Sequence, residues 1–234
     1  MFIIKVRVNK LGAPDQATHR GNSMNITVIG TGNMGSAFVK QLTRVGHVVR
    51  VTGRDLARAQ ALAATYPGAT AAPAAEALGD SEVIVLATGF DDAVPALRAL
   101  GQMDGKVVID ITNPLTADYM GLTLGHDTSA AEEIARAVPG IELVKAFNTL
   151  FAPVLADGPQ FADGQVAPVF FASDSERARQ TVKALIDSLG FRAVDAGPLK
   201  NARYLEPLAG LNIYFGYGAG LGTAIAPTWI AKAA

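Results

Sequence analysis

Gly30, Gly32 and Gly35 form a G-x-G-x-x-G turn inside "TVIGTGNMGSAFVKQLTRVGHVVRVTGR", residues 27–54. In that spacing the first glycine makes a tight turn and the second lets the backbone approach a diphosphate. The third lets a helix pack closely on a strand. The anion then rests on a helix N-terminus, where free N–H groups and the macrodipole favour negative charge. A glycine turn alone is a weak signal. Here an apolar strand precedes it, a helical pattern opens on it and a second strand follows, which is the context a dinucleotide site requires.

The second strand ends in Thr52-Gly53-Arg54. Sites that prefer NAD carry an Asp or Glu there, which accepts from the ribose hydroxyls. A carboxylate would repel a 2′-phosphate, whereas the Thr52 hydroxyl can donate to one. Arg54 offers a planar fork of donors suited to phosphate. Arg58, one helical turn on, adds charge or is a solvated helix arginine. Asp55 reads either as a displaced ribose acceptor or as a helix cap; its place before an alanine-rich helical run favours the cap. Together these residues predict NADP over NAD.

Three further loops fall at strand C-terminal ends, where open parallel sheets bind ligands. They are Thr88-Gly89-Phe90, Thr112-Asn113-Pro114 and Ala146-Phe147-Asn148-Thr149. Phe90 borders a ring of the cofactor or packs in the core. Asn113 offers an amide to a carboxamide, although Asn-Pro is also a turn signal. Asn148 anchors substrate or nicotinamide, caps a helix, or does both. His126 is the histidine nearest the expected cleft; His47 starts a strand on the far side. No Ser/His/Asp triad or metal cluster is readable, and Asp91-Asp92 reads as a helix start.

The elements that must hold these loops alternate. Apolar strands are expected at Asn25–Ile29, Val48–Val51, Ala69–Ala72, Glu82–Thr88 and in "KVVIDIT", "IELVKAF", "PVFFAS" and "FRAVDAG". Helical patterns lie between them. Ser129 with Glu132 and Ser173 with Glu176 fit capping boxes, and a terminal helix begins at Asn201. This alternation predicts an α/β fold: a Rossmann-type, doubly wound, mainly parallel sheet with helices on both faces and a small C-terminal α/β extension. The expected organisation is a flexible leader or upstream extension over residues 1–23, with Met24 as the natural start. A dinucleotide-binding domain covers 24–150, and a small region over 151–234 supplies the substrate cleft and a dimer contact.

Composition narrows the function classes. The chain has 234 residues, half of them hydrophobic, with a net charge of −1 and no cysteine. There is no basic field for nucleic acid and no polybasic membrane signal. Disulfides, thiol nucleophiles and cysteine metal sites are excluded. Residues 207–231 carry no charge and are long enough to span a bilayer, but Asn212, Tyr214, Tyr217, Pro227 and several glycines point to a buried C-terminal helix and a Gly-rich tail.

The stretches "GTGNMG", "TGR", "TNPL", "GHDTSAAEEIARAVPGIELVKAFNTL" and "VDAGPLKNARYLEPL" resemble the NADP-dependent coenzyme F420 reductase family and the related NADPH domain of the six-transmembrane metalloreductases. "VKAFNT" looks more like the metalloreductase version. The resemblance implies hydride transfer between NADP(H) and a flavin-like ring, with coenzyme F420 or FMN as acceptor. It implies diphosphate contacts at Gly30, Thr31, Gly32, Asn33, Met34 and Gly35, and 2′-phosphate contacts at Thr52, Gly53 and Arg54. Thr88, Asn113 and Asn148 match its nicotinamide and acceptor contacts.

Such transfer needs stacked rings and excluded water more than side-chain acids, so no catalytic side chain is expected. The expected setting is a cytoplasmic homodimer acting on a small flavin-like molecule. Two alternatives stay open. One is an imino- or hydroxyacid-type dehydrogenase with Lys145 or Lys200 as proton donor. The other is a non-catalytic NADP-binding module.

Overall fold

The computed structural model describes residues 23–230 and 232. The expectation of a leader over residues 1–23 therefore lies, apart from Ser23, outside the described residues.

Short, mostly apolar runs build the central strands because both faces of each are buried. In β1 (Asn25–Ile29), Ile26 and Val28 enter one core and Ile29 the other. In β4 (Val83–Leu86), Val83 and Val85 face the first core, while Ile84 and Leu86 face the second. Period-two alternation with apolar residues on both sides is the signature of a strand covered twice.

The remaining strands are β2 (Val48–Thr52), β3 (Ala69–Ala71), β5 (Val107–Asp110), β6 (Glu142–Ala146), β7 (Pro168–Ala172) and β8 (Arg192–Asp195). They form one eight-stranded sheet in the order β3-β2-β1-β4-β5-β6-β7-β8. The order reverses beside β1, so the loops after β1 and β4 flank the crevice where doubly wound sheets take ligands. The position expected to divide two domains, residue 150, falls between β6 and β7, which are neighbours in this sheet.

Helices α1 (Asn33–Arg44), α2 (Leu56–Thr65), α6 (Ala152–Asp157) and α7 (Glu176–Ser188) pack on the first core. Helices α3 (Ala74–Ala77), α4 (Phe90–Arg98) and α5 (Ala130–Ala137) pack on the second. The last helix, α8 (Ala202–Ile213), sets Leu205 against Phe170 and Ala172 of β7 and runs into a π-helical turn over Tyr214–Gly218.

Two strands run against the rest of the sheet, β7 and its parallel neighbour β8. β7 pairs with β6 antiparallel, through Lys145–Ala172 and Ala146–Phe171. β7 therefore starts at the end of the sheet where β6 finishes and runs back alongside it.

Two local expectations also change. The cap of α7 is Ser175, whose side chain accepts from Ala178 N–H, and not Ser173. Ser173 instead donates to the Leu143 carbonyl on β6 at 2.6 Å. The C-terminal helix is not fully buried either: Tyr204 is 74% exposed and Leu211 50%. No helix among the described residues is long and apolar enough to cross a membrane.

Candidate active site

The glycine turn is built as its spacing requires. Gly30 has φ +125°, and its N–H donates to the Thr52 carbonyl at 2.8 Å. A Cβ there would collide with the Ala87 carbonyl oxygen, and one on Gly35 would collide with the Gly30 carbonyl. Those two glycines therefore permit contact within the protein. Gly32 differs: a Cβ on it would meet nothing within 4 Å. Its open side faces a cavity of about 480 Å³ lined also by Gly30, Thr31, Thr52, Gly53, Arg54, Arg58, Thr88 and Gly89.

Within that cavity Thr52 Oγ1 is buried and has no hydrogen-bond partner. An orphaned hydroxyl at a cavity wall is a group that a ligand oxygen would satisfy. Arg54 lies at the mouth, where Nη1 stands 3.3 Å from Asp92 Oδ1. Asp92 and Asp91 sit in the first turn of α4, which starts at Phe90 behind Gly89, one to two residues earlier than the acid pair suggests. Asp55 caps α2, accepting from Arg58 N–H at 3.2 Å. Its carboxylate is thus engaged with the backbone.

A second cavity, of about 600 Å³, opens beside the first. Asn33 and Met34, the next residues of the glycine turn, line it, as do Asn113 and Asn148. The two asparagines are locked together. Asn113 Nδ2 donates to the Asn148 carbonyl and Asn148 Nδ2 to Asn113 Oδ1, each at 3.0 Å. Asn148 Nδ2 also reaches the Leu205 carbonyl at 3.0 Å. This leaves Asn148 Oδ1 and the neighbouring Thr149 Oγ1 buried without partners. Phe147 aims this loop: it adopts φ 61°, and its ring packs edge-on against Phe38 of α1 at 5.0 Å between centroids.

Not every residue singled out in the sequence reaches a cavity. Phe90 packs on the second core, Pro114 and Ala146 are buried, and Gly35 sits behind the turn. His126 is exposed on the outer loop, away from both cavities. His47 is buried at the opposite end of the sheet, accepting from Met24 N–H at 3.1 Å; burial holds its pKa below the ordinary value.

Conversely, the second cavity is walled by residues not named as site candidates in the sequence: Asp118, Tyr119 and Met120 from the loop after β5, and Ala209, Asn212 and Tyr217 from the C-terminal region expected to supply the cleft. The one legible signal among them is Asn212, a polar residue in an uncharged run. It lies on the cleft face of α8, where its Nδ2 donates to the Thr149 carbonyl at 3.1 Å.

Lys145, a candidate proton donor in the dehydrogenase reading, is fully buried. Its Nζ donates to Asp110 Oδ2 at 2.7 Å, Glu206 Oε1 at 2.9 Å and the Thr112 carbonyl at 2.6 Å. Burial lowers its pKa, but the carboxylates of Asp110 and Glu206 outweigh that, so the ammonium titrates above the ordinary lysine value. It is not a group poised to give up a proton near neutrality. Lys200 is exposed and lines neither cavity.

A glycine turn at the switch point of a doubly wound sheet, opening onto two adjoining cavities, defines a nucleotide-dependent oxidoreductase fold. A family model for NADP oxidoreductases, coenzyme F420-dependent, matches residues 25–114. The F420-dependent NADP reductase of Methanothermobacter marburgensis is 32% identical over 212 residues, covering 81% of this chain and 91% of that one. Metalloreductase STEAP3 of Rattus norvegicus is 30% identical over 184 residues; the match covers 78% of this chain but 36% of the metalloreductase, so the chain spans about a third of that relative's length. A crystal structure provisionally described as an F420-dependent NADP reductase, from Arthrobacter sp. FB24, superposes with a TM-score of 0.79 at 30% identity, covering 90% of this chain and 100% of that one. The chain belongs to the coenzyme F420-dependent NADP oxidoreductase family, and with it to the NADP-dependent oxidoreductases.

Proposed function

We propose that this protein transfers a hydride between NADP(H), held in the glycine-lined cavity, and a flat flavin-like ring held in the adjoining one. The observation that carries this reading is the continuity of the glycine turn. Gly30, Thr31 and Gly32 line one cavity, and the next two residues, Asn33 and Met34, line the other. A dinucleotide lying along that turn would present its far ring to the second cavity.

In this reading the α1 N-terminus and the open side of Gly32 take the diphosphate. Thr52 and Arg54 take the 2′-phosphate, with Arg58 adding charge. Thr88 and Gly89 border the ribose side. Asn113 and Asn148 fix the nicotinamide or the acceptor through amides whose orientation is already set by each other. When bound, the nicotinamide supplies the hydride. The protein positions two rings and keeps water out, and Met34, Phe147, Phe151 and Tyr217 give the cleft an apolar wall suited to that.

Stopped-flow mixing of NADPH-loaded protein with riboflavin, FMN and coenzyme F420 tests the reading. Rapid oxidation of the nicotinamide by a flat-ring acceptor is expected. Oxidation only by an imine or keto compound would replace it with the dehydrogenase reading, and no oxidation with retained NADPH binding would leave a binding module.

The reading also carries a cytoplasmic location and a homodimer. Support for the dimer comes from α8 and the turn after it, where Tyr204, Leu211, Tyr214 and Phe215 are exposed together, between 41% and 74%. A cluster of large apolar side chains of this kind suits a second copy. Sedimentation should give the dimer mass, shifting to monomer for Leu211→Asp; a monomeric wild-type protein would remove this part.

A further inference from the structure

We propose that the acceptor cleft selects flat rings whose side chain is uncharged, and disfavours those bearing phosphate or carboxylate tails such as FMN and coenzyme F420. This rests on the hydride-transfer reading above and deepens it.

The argument is the distribution of charge between the two cavities. The dinucleotide cavity holds two guanidinium groups, Arg54 and Arg58, beside the carboxylates of Asp55 and Asp92; the acceptor cleft holds no cation among its lining residues. In the neighbouring cleft, Asp118 is the one lining residue with a formal charge, and it is a carboxylate. It stands exposed on the rim, held by the Thr116 hydroxyl at 2.5 Å and by Met120 N–H at 3.0 Å. The Thr116 hydrogen bond, with the Met120 N–H behind it, keeps its pKa below the ordinary aspartate value, so the group is ionised throughout the neutral range.

Inside the rim the polar atoms are amides and hydroxyls. Asn148 Oδ1 and Thr149 Oγ1 are buried without partners, and Asn113 and Asn212 border them. Such groups pair well with the carbonyl and N–H edge of a flavin-like ring or with a polyol chain. A phosphate dianion wants charged donors. Here no cationic side chain lines the cleft to meet it, and the one charge it meets is the ionised carboxylate of Asp118.

An exposed charge pair has a modest effect, about two- to fivefold in affinity. The NADP⁺-loaded protein is titrated with riboflavin and with FMN, reading the quench of flavin fluorescence at low salt. Riboflavin should bind about two- to fivefold tighter, and the gap should shrink in ~0.5 M salt, where charges are screened within a few ångströms. Asp118→Asn, which keeps an oxygen for Met120 N–H and so the loop, should narrow the gap; Asp118→Lys should invert it.

Equal or tighter binding of FMN by the wild-type protein, or a ratio indifferent to charge at position 118, would overturn the proposal. Turnover is read in parallel. If riboflavin binds in this order but NADPH does not reduce it, hydride transfer fails while the charge selection stands. If both rings are reduced and neither is preferred, the charge selection alone fails.

Discussion

Lys145→Met should lower the stability of this protein by about 3–5 kcal/mol, the usual cost of stranding charges that a buried partner had compensated. The lysine is 0% exposed, and Asp110 and Glu206 are its two ionic partners. Asp110 keeps only the Thr112 N–H at 2.8 Å, and Glu206 keeps only Ala130 and Ala131 N–H at 2.9 and 3.1 Å. Methionine fills similar volume, so the loss reports the charge and not a cavity. For a chain of this size the melting temperature should fall by roughly 10 °C. Urea unfolding measures the difference directly; a loss below about 1 kcal/mol would show that the ammonium is dispensable.

The same network fixes a pH dependence. The folded-state pKa of Lys145 lies above its ordinary value. Its stabilising contribution is therefore complete below the ordinary lysine pKa and is lost only as pH rises through the higher folded value. The loss belongs to the alkaline limb of the stability curve, and the variant should lack that part of it.

The second large effect concerns the cofactor. Arg54→Ala should weaken NADPH binding about ten- to a hundredfold, from the ~1.5–3 kcal/mol of a charge-assisted contact, and leave NADH binding nearly unchanged. The structure points to the lower end of that range. Arg54 already faces Asp92 at 3.3 Å, with the guanidinium side chain 87% exposed, so a phosphate must displace a weak surface partner. Calorimetry with both coenzymes decides it. Equal losses for NADPH and NADH would show that Arg54 does not read the extra phosphate.

Much of this molecule is legible in its sequence, for definable reasons. β1 and β4 are short apolar runs with both faces buried, and that pattern is local. The glycine turn is partly local: Gly35 makes room for the Gly30 carbonyl within the same strand–turn–helix unit, whereas Gly30 makes room for the Ala87 carbonyl after β4. What escaped depends on distant partners. In "SDSERAR" the spacing Ser173-x-x-Glu176 fits a cap, but the Leu143 carbonyl claims the Ser173 hydroxyl, and Ser175 takes over. Lys145 reads as a polar residue near a ligand loop because its partners, Asp110 and Glu206, come from other elements. The reversal of β7 is not legible, because its apolar run reads the same in either direction. The rim residues Asp118, Tyr119 and Met120 belong to a loop with no periodicity at all.

Phe147 holds its backbone in a region that side-chain-bearing residues seldom adopt, and it is wholly buried while doing so. Its ring is wedged between Phe38 and Phe191, and Phe38 belongs to the helix whose N-cap, Gly32, lines one cavity and whose first residues, Asn33 and Met34, line the other. The aromatic wedge thus makes the asparagine loop and the glycine-headed helix parts of one wall. A ligand that tightens one side of this partition should therefore be felt by an occupant of the other.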